Sequence, residues 1–304
     1  MNDSATNTSP LESVKLLLAG SIDYAGLFPP SQLSMEEAVV NFAKYRGSDE
    51  SWMLGRFVVP VARLDELRDV ASQFVEREKD PWPVSALAAE DIYDTYKRLT
   101  RFNEQNKGGF VVDSLEVKAN TVSKIENTVD ALPQGVTAYF EVGLGQNLAE
   151  LIATLAIDRQ HAKIRTGGVT PEDFPRSRDL IRFVRTCLAG NVPFKATAGL
   201  HHPIRCYRPL TYAEGGPSGT MHGFLNLFLM TGYARESFKP DMLEELMEEE
   251  FGEVFEFDDQ GVKWRGEYEL SNWQLERLRR LGVHSFGSCS FEEPVEDLKA
   301  LGLL

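Results

Sequence analysis

AKIRTGGVTPEDF (162–174) and VPFKATAGLHHP (192–203) follow one another along the chain with a single amphipathic stretch, SRDLIRFVRTCLAG (177–190), between them. Each carries a lysine inside a short apolar run that ends in Thr and Gly. Strand, helix and strand in that order predict consecutive parallel strands, with Lys163 and Lys195 near equivalent ends.

The same alternation continues in both directions. Strands are predicted at 20–27, 56–61, 82–87, 114–119, 137–142, 162–166, 193–198 and 283–288. Helical patterns fall at 34–46, 64–78, 148–157, 177–190 and 271–282, with Ser34 and Ser271 at N-cap positions and Gly282 at a C-cap. Eight strand–helix units predict an α/β fold, a (β/α)8 TIM barrel forming a single domain over 14–304, after a polar, disordered leader at 1–13. The stretch between the seventh and eighth strands is about twice what one barrel unit needs. It reads as an insertion at about 201–270: a Gly/Pro/Tyr/Arg-rich loop (201–220), an apolar helix (223–233), an acidic helix and a hairpin around Gln260-Gly261. Its first part is placed to form a lid over the C-terminal face.

Composition narrows the function. Hydrophobic residues at 42% and charged residues at 26% are ordinary for a soluble globular chain, and no apolar run is long enough to span a bilayer. A formal net charge of −14 disfavours nucleic acid and anionic membrane as partners. Cys187, Cys206 and Cys289 are scattered, without zinc spacing or a disulfide framework, so reduced thiols and a cytoplasmic location are expected. No cofactor motif stands out, and a homo-oligomer is compatible with the sequence.

Strand periodicity makes a sharper statement. Residues two apart share a side, so Lys163 goes with Arg165, Glu116 with Lys118, Tyr139 with Glu141 and Lys195 with Thr197. A barrel core built for stability alone would hold Val, Ile or Leu there, because buried unpaired charge is costly. Two adjacent ammonium groups favour the free amine on one of them, which can attack a carbonyl and form a Schiff base. Glu116, or in reserve Glu141, would move the protons. A buried salt-bridge network without turnover fits the spacing equally well.

The segments, in order, resemble the 2-deoxyribose-5-phosphate aldolase family, class I aldolases on a (β/α)8 barrel. SIDYAGLFPPSQLSMEEAVVNFAKY (21–45) is similar to the family's opening strand and acidic helix, and SLEVKAN (114–120) to its Glu-x-Asp-x-Val-x-Asn strand. AKIRTGG (162–168) resembles the strand carrying the Schiff-base lysine, and FKATAGLHHP (194–203) the strand of the second lysine. SFGSCSFEEPVEDLKALG (285–302) resembles the closing phosphate-binding segment and terminal helix. The resemblance implies Lys163 as nucleophile, Lys195 as its ammonium neighbour and Glu116 as proton shuttle. Departures cluster in the pocket: Tyr24-Ala25 for His-Thr, Phe28 for a lysine, Glu116 for an aspartate, Arg165 for a small hydroxyl residue, and Ala198-Gly199 for Gly-Gly.

If Asp23, Glu116 and Glu141 face Lys118, Lys163, Arg165 and Lys195, cations outnumber anions. That favours a small anionic substrate, a sugar phosphate or keto acid, with Arg165 pairing to its anionic group. Thr197, Gly199, Gly287, Ser288 and Ser290 complete the expected binding set. Two other classes stay open: a metal-dependent hydrolase or lyase using His201, His202 and His222, and a barrel that binds without catalysis. The site is expected to hold no metal.

Overall fold

A computed structural model describes residues 10–75 and 80–304. Its strands appear in chain order as β1 (Ile22–Tyr24), β2 (Leu54–Pro60), β3 (Trp82–Leu87), β4 (Phe110–Lys118), β5 (Thr137–Glu141), β6 (His161–Arg165) and β7 (Phe194–Thr197). A hairpin, β8 (Cys206–Pro209) with β9 (Ser218–Met221), follows. A three-stranded antiparallel sheet comes next, made of β10 (Phe255–Phe257), β11 (Gly261–Trp264) and β12 (Tyr268–Ser271), and the last strand is β13 (Val283–Ser288). The first seven strands and β13 pair in parallel and close on themselves, β13 lying between β7 and β1. The chain is a (β/α)8 barrel.

All eight expected barrel strands are present, two of them, 82–87 and 283–288, at the expected limits. Ser34 and Ser271 each close a capping box, on α2 (Met35–Arg46) and α10 (Asn272–Leu281) respectively. Residues 1–9 of the expected leader and residues 76–79 of the expected helix 64–78 lie outside the described residues. That helix spans Leu64–Ala71, and a first helix, α1 (Glu12–Leu18), begins inside the segment expected as leader. Its Val14, Leu17 and Leu18 are buried, and it packs on α10.

The insertion differs most from expectation. The hairpin around Gln260-Gly261 is one half of a three-stranded meander, because YELS (268–271) returns alongside GVKW (261–264). The apolar helix α8 (Phe224–Arg235) belongs to the core. Every residue from Phe224 to Tyr233 is buried, and Phe224 stacks on Phe286 of β13 with ring centroids 4.7 Å apart. A helix that is apolar all round must be covered all round. The barrel covers one side, and α10, α7 (Ser177–Ala189) and the acidic helix α9 (Pro240–Met247) pack on it as well.

Strand alternation puts helix-facing residues such as Phe57, Val84, Phe140, Ala162, Phe194 and Phe286 into the apolar layer. The barrel interior is different, since it is polar along much of its length. Near the strand starts, Tyr139 Oη lies 2.8 Å from His284 Nδ1. Arg56 then forms a two-pronged pair with Asp113 at 2.6 and 2.8 Å. Asp113 reaches this position at a register shift, where one step on β3 (Val84 to Ser85) matches two on β4 (Val112 to Ser114).

Arg279 of α10 ties this end of the barrel to α1. Its guanidinium donates to the carbonyls of Leu17, Ala19, Val283 and His284 at 2.5–3.2 Å. Burial pushes its pKa down to about 10, and among the described residues no carboxylate is bonded to it. Hydrogen bonds to charged groups contribute about 1.5–3 kcal/mol each, and four carbonyls lose their donor together. Arg279→Leu is therefore expected to lower the unfolding free energy by at least about 2 kcal/mol in urea titration; an unchanged midpoint would show that the clamp contributes nothing.

Candidate active site

The site begins at Asp23, completely buried on β1. Its Oδ1 accepts the Arg56 amide at 2.9 Å, and its Oδ2 accepts from Ser285 Oγ and Lys195 Nζ, both at 2.8 Å. Gly55 makes room for it: a Cβ there would sit 2.5 Å from Asp23 Oδ1 and 3.2 Å from two backbone carbonyls. Lys195, 1% exposed, spans from Asp23 to Glu116, whose Oε1 is 2.6 Å from Nζ. The Tyr139 ring lies beside the same ammonium, its centroid 5.2 Å away.

Glu116 is the centre. Its Oε1 takes Lys195 and the Ser85 hydroxyl (2.9 Å), and its Oε2 takes Lys163 at 2.6 Å. Lys163 also bonds Glu141 at 2.8 Å. Register explains the convergence, for Lys163 pairs laterally with both Lys195 and Glu141, and Glu116 with Tyr139 one strand further round. Burial would raise the Glu116 carboxyl, but the two ammonium groups outweigh it and hold the group far below the usual carboxylate range. Lys195 behaves in the mirror sense: burial would lower it, but Asp23 and Glu116 raise it above the usual lysine value.

Above this network opens a cavity of about 210 Å³. Glu116 and Lys163 form part of its lining; Ala25, Phe28, Val58 and Leu87 give it apolar walls; Arg165 and Asp173 stand among its polar residues. Lys195 and Asp23 lie outside the lining, so Lys163 is the lysine that reaches open space. Thr197, Gly199 and Gly287 line the cavity as expected. Ala198 and Gly199 both have positive φ, +65° and +75°, and Gly199 approaches Gly167 so closely that a Cβ would lie 2.8 Å from the Gly167 Cα. Backbone approach, rather than a contact with substrate, is sufficient reason for glycine at 199.

Several expected members sit elsewhere. Lys118 is exposed and lines a neighbouring cleft with Asn120, Glu141 and Arg165, because β4 runs past the end of the buried layer. Ser288 and Ser290 are not cavity-lining residues: Ser288 Oγ accepts the Ser290 amide, and Ser290 Oγ accepts the Glu293 amide at the start of α11 (Glu292–Ala300). The expected cation excess is absent below the mouth, where Asp23, Asp113, Glu116 and Glu141 face Arg56, Lys163 and Lys195. The cations that would tip the balance, Lys118 and Arg165, are at the exposed ends of their strands.

His201, His202 and His222 do not converge. They bond Glu293, Asp297 and the Pro175 carbonyl respectively, and among the described residues no group of His, Cys, Asp and Glu is placed to hold a metal ion. The sequence reading passed over Cys289, which lines the cavity next to His201. Nothing in the local string GSCS signals that a histidine from the loop after β7 reaches it.

Comparison with protein-family models, with curated proteins and with solved structures finds no match. Among the described residues no helix is long and apolar enough to cross a membrane.

Removing one partner of a buried charge network typically costs about 3–5 kcal/mol, so Glu116→Gln should destabilise the fold by about 3 kcal/mol in chemical denaturation. The depressed Glu116 pKa stabilises the fold above the ordinary carboxylate range, and this contribution is lost as pH falls below it. The raised Lys195 pKa contributes below the ordinary lysine range and is lost only as pH rises beyond it. Stability between pH 2 and 5 should accordingly fall less steeply in Glu116→Gln than in the parent protein; parallel acid limbs would contradict this assignment.

Proposed function

We propose that the protein is a Schiff-base-forming aldolase or related carbon–carbon lyase acting on a small anionic carbonyl compound. The observation that carries the reading is Lys163, a buried lysine opening on a cavity and bonded to two carboxylates, with a second lysine fixed beneath it. An ion pair that served stability alone would gain little from a cavity at its nucleophilic end. The resemblance to 2-deoxyribose-5-phosphate aldolases supports the same choice of lysine.

The roles follow from partners. Lys195 is clamped between Asp23 and Glu116 and stays an ammonium, so it supplies field rather than attack. Glu116 is held ionised by two lysines, which makes it a poor proton acceptor and a good anchor for both. Glu141 has Lys163 as its single ion-pair partner among the described residues, and its side chain is 14% exposed, with one face on the neighbouring cleft. It is the better carrier: it takes a proton from Lys163 before attack on the carbonyl carbon and returns it as the carbinolamine loses water. This reverses the order of the two glutamates expected from the sequence. The cavity and the cleft share Arg165 and Asp173. A substrate with its carbonyl at Lys163 would direct an anionic group toward Arg165 and Lys118, whose guanidinium and ammonium suit a carboxylate or phosphate.

Borohydride reduction in the presence of small aldehydes, keto acids and sugar phosphates tests the reading. A reduced adduct is expected on Lys163 by peptide mass mapping and is expected to vanish in Lys163→Ala. Arg165→Gln should weaken labelling by anionic compounds about tenfold relative to neutral ones, the loss of one charge-assisted pair. If no carbonyl compound labels Lys163 while a known class I aldolase is labelled in the same panel, the proposal fails.

A further inference from the structure

The cavity lining carries a second constellation, on the segments that follow β7 and β13. Cys289 Sγ lies 3.8 Å from His201 Nδ1 and 3.7 Å from the Tyr212 hydroxyl. Glu293 bonds both of those neighbours: its Oε2 is 3.0 Å from His201 Nδ1, and its Oε1 accepts from Tyr212 at 3.0 Å. Four elements meet here. They are the segment after β13, the loop after β7, the segment joining β8 to β9, and the first turn of α11. His201 is 6% exposed and Cys289 5%, and both line the same 210 Å³ cavity as Lys163. No protein partner is recorded for His201 Nε2 among the described residues.

We infer that Cys289 is a reactive thiol site for small peroxides, activated by His201, positioned through Glu293 and opening on the Lys163 cavity. A nucleophile beside a basic ring that a carboxylate orients is the general arrangement for activating sulfur. One nitrogen, Nδ1, faces both Glu293 and Cys289, so the protonated ring shares its hydrogen between carboxylate and thiolate. Electrostatics agree with the geometry. Burial would lower His201, but Cys289 and Glu293 raise it to about 10. Burial would raise Cys289, but His201 first, then Ser31 and Tyr212, bring it below the usual thiol value. The more distant phenols of Tyr24 and Tyr45 also sense the sulfur, and burial keeps both protonated.

A peroxide is the electrophile this site suits, because its O–O cleavage needs a proton donor next to the sulfur. The thiolate attacks one peroxide oxygen and the S–O bond forms as the O–O bond breaks. Hydroxide leaves, taking its proton from the imidazolium to become water. Sulfur is oxidised to a sulfenic acid, Cys–SOH, and the peroxide is reduced. The added oxygen then occupies space in the cavity, so oxidation would close it to a substrate until an external thiol restores the cysteine. This chemistry does not depend on the Schiff-base reading.

The test uses the intact protein and hydrogen peroxide, with dimedone to trap sulfenic acid and peptide mapping to locate it. Half-buried Cys206, whose thiol burial raises, serves as internal comparison. Cys289 is expected to carry most of the dimedone label at one equivalent of peroxide, and dithiothreitol added before dimedone should remove it. An ordinary thiol is only a few per cent ionised at pH 7. Iodoacetamide should therefore alkylate Cys289 at least about fivefold faster than Cys206 there, with a rate that levels off at lower pH than the Cys206 rate does. His201→Gln should restore the steep rise of an unassisted thiol, and Tyr212→Phe, which alters an exposed side chain, should shift the profile in the same direction by less. Label on Cys206 in preference to Cys289, or a Cys289 alkylation rate in the parent protein that climbs about tenfold per pH unit, would overturn the inference without any variant having to fold.

Discussion

Glu116 sits buried between two lysines, and most of the interior is arranged around that fact. A carboxylate with one ammonium on each oxygen is stable at depth only if both lysines are themselves satisfied. Asp23 completes Lys195 and Glu141 completes Lys163. Each completion makes its own demand. Asp23 needs glycine at 55 and a hydroxyl at 285, and Glu116 needs the hydroxyl of Ser85, which in turn lies 3.0 Å from Ser114. The chain of requirements runs through all eight barrel strands, β1 to β7 and β13.

Charge in the barrel therefore decreases in enforcement from bottom to top. Near the strand starts, Arg279 holds carbonyls and Arg56 holds Asp113. At mid-height the lysines are fully paired, and at the mouth Arg165 and Lys118 are exposed cations without an ion pair in the structure's described contacts. The gradient explains why the cavity's reactive face is narrow. It offers Lys163 together with Cys289 and His201, on the adjacent strands β6, β7 and β13 or the segments that follow them.

Much of this was readable in advance where the signal was periodic. Alternation along AKIRT and FKATA placed Lys163 and Lys195 on the inner side, and the order of strands and helices was enough for the barrel. Reading failed where contact depends on segments distant in sequence. Ser288 and Ser290 are a different case: they looked like ligands for a substrate, but their hydroxyls serve local amides two and three residues on, at the turn into α11. Lys118 obeyed its alternation but fell beyond the buried layer, a matter of strand length rather than phase. Cys289 and His201 are separated by most of the insertion, and no local pattern joins them. The helix 224–235 was recognised as apolar, yet its burial on every side follows from what surrounds it.

The ionic centre also bears on how such a barrel can be divided. Cut between β4 and β5, the chain would leave Asp23, Ser85 and Glu116 in one fragment and Lys163, Lys195 and Ser285 in the other. Each fragment would hold surplus charge of one sign in the surface it most needs to keep dry. Neither half could act as an autonomous folding module, so the two halves must assemble together, and this architecture resists the half-barrel exchange that a purely aliphatic core would permit.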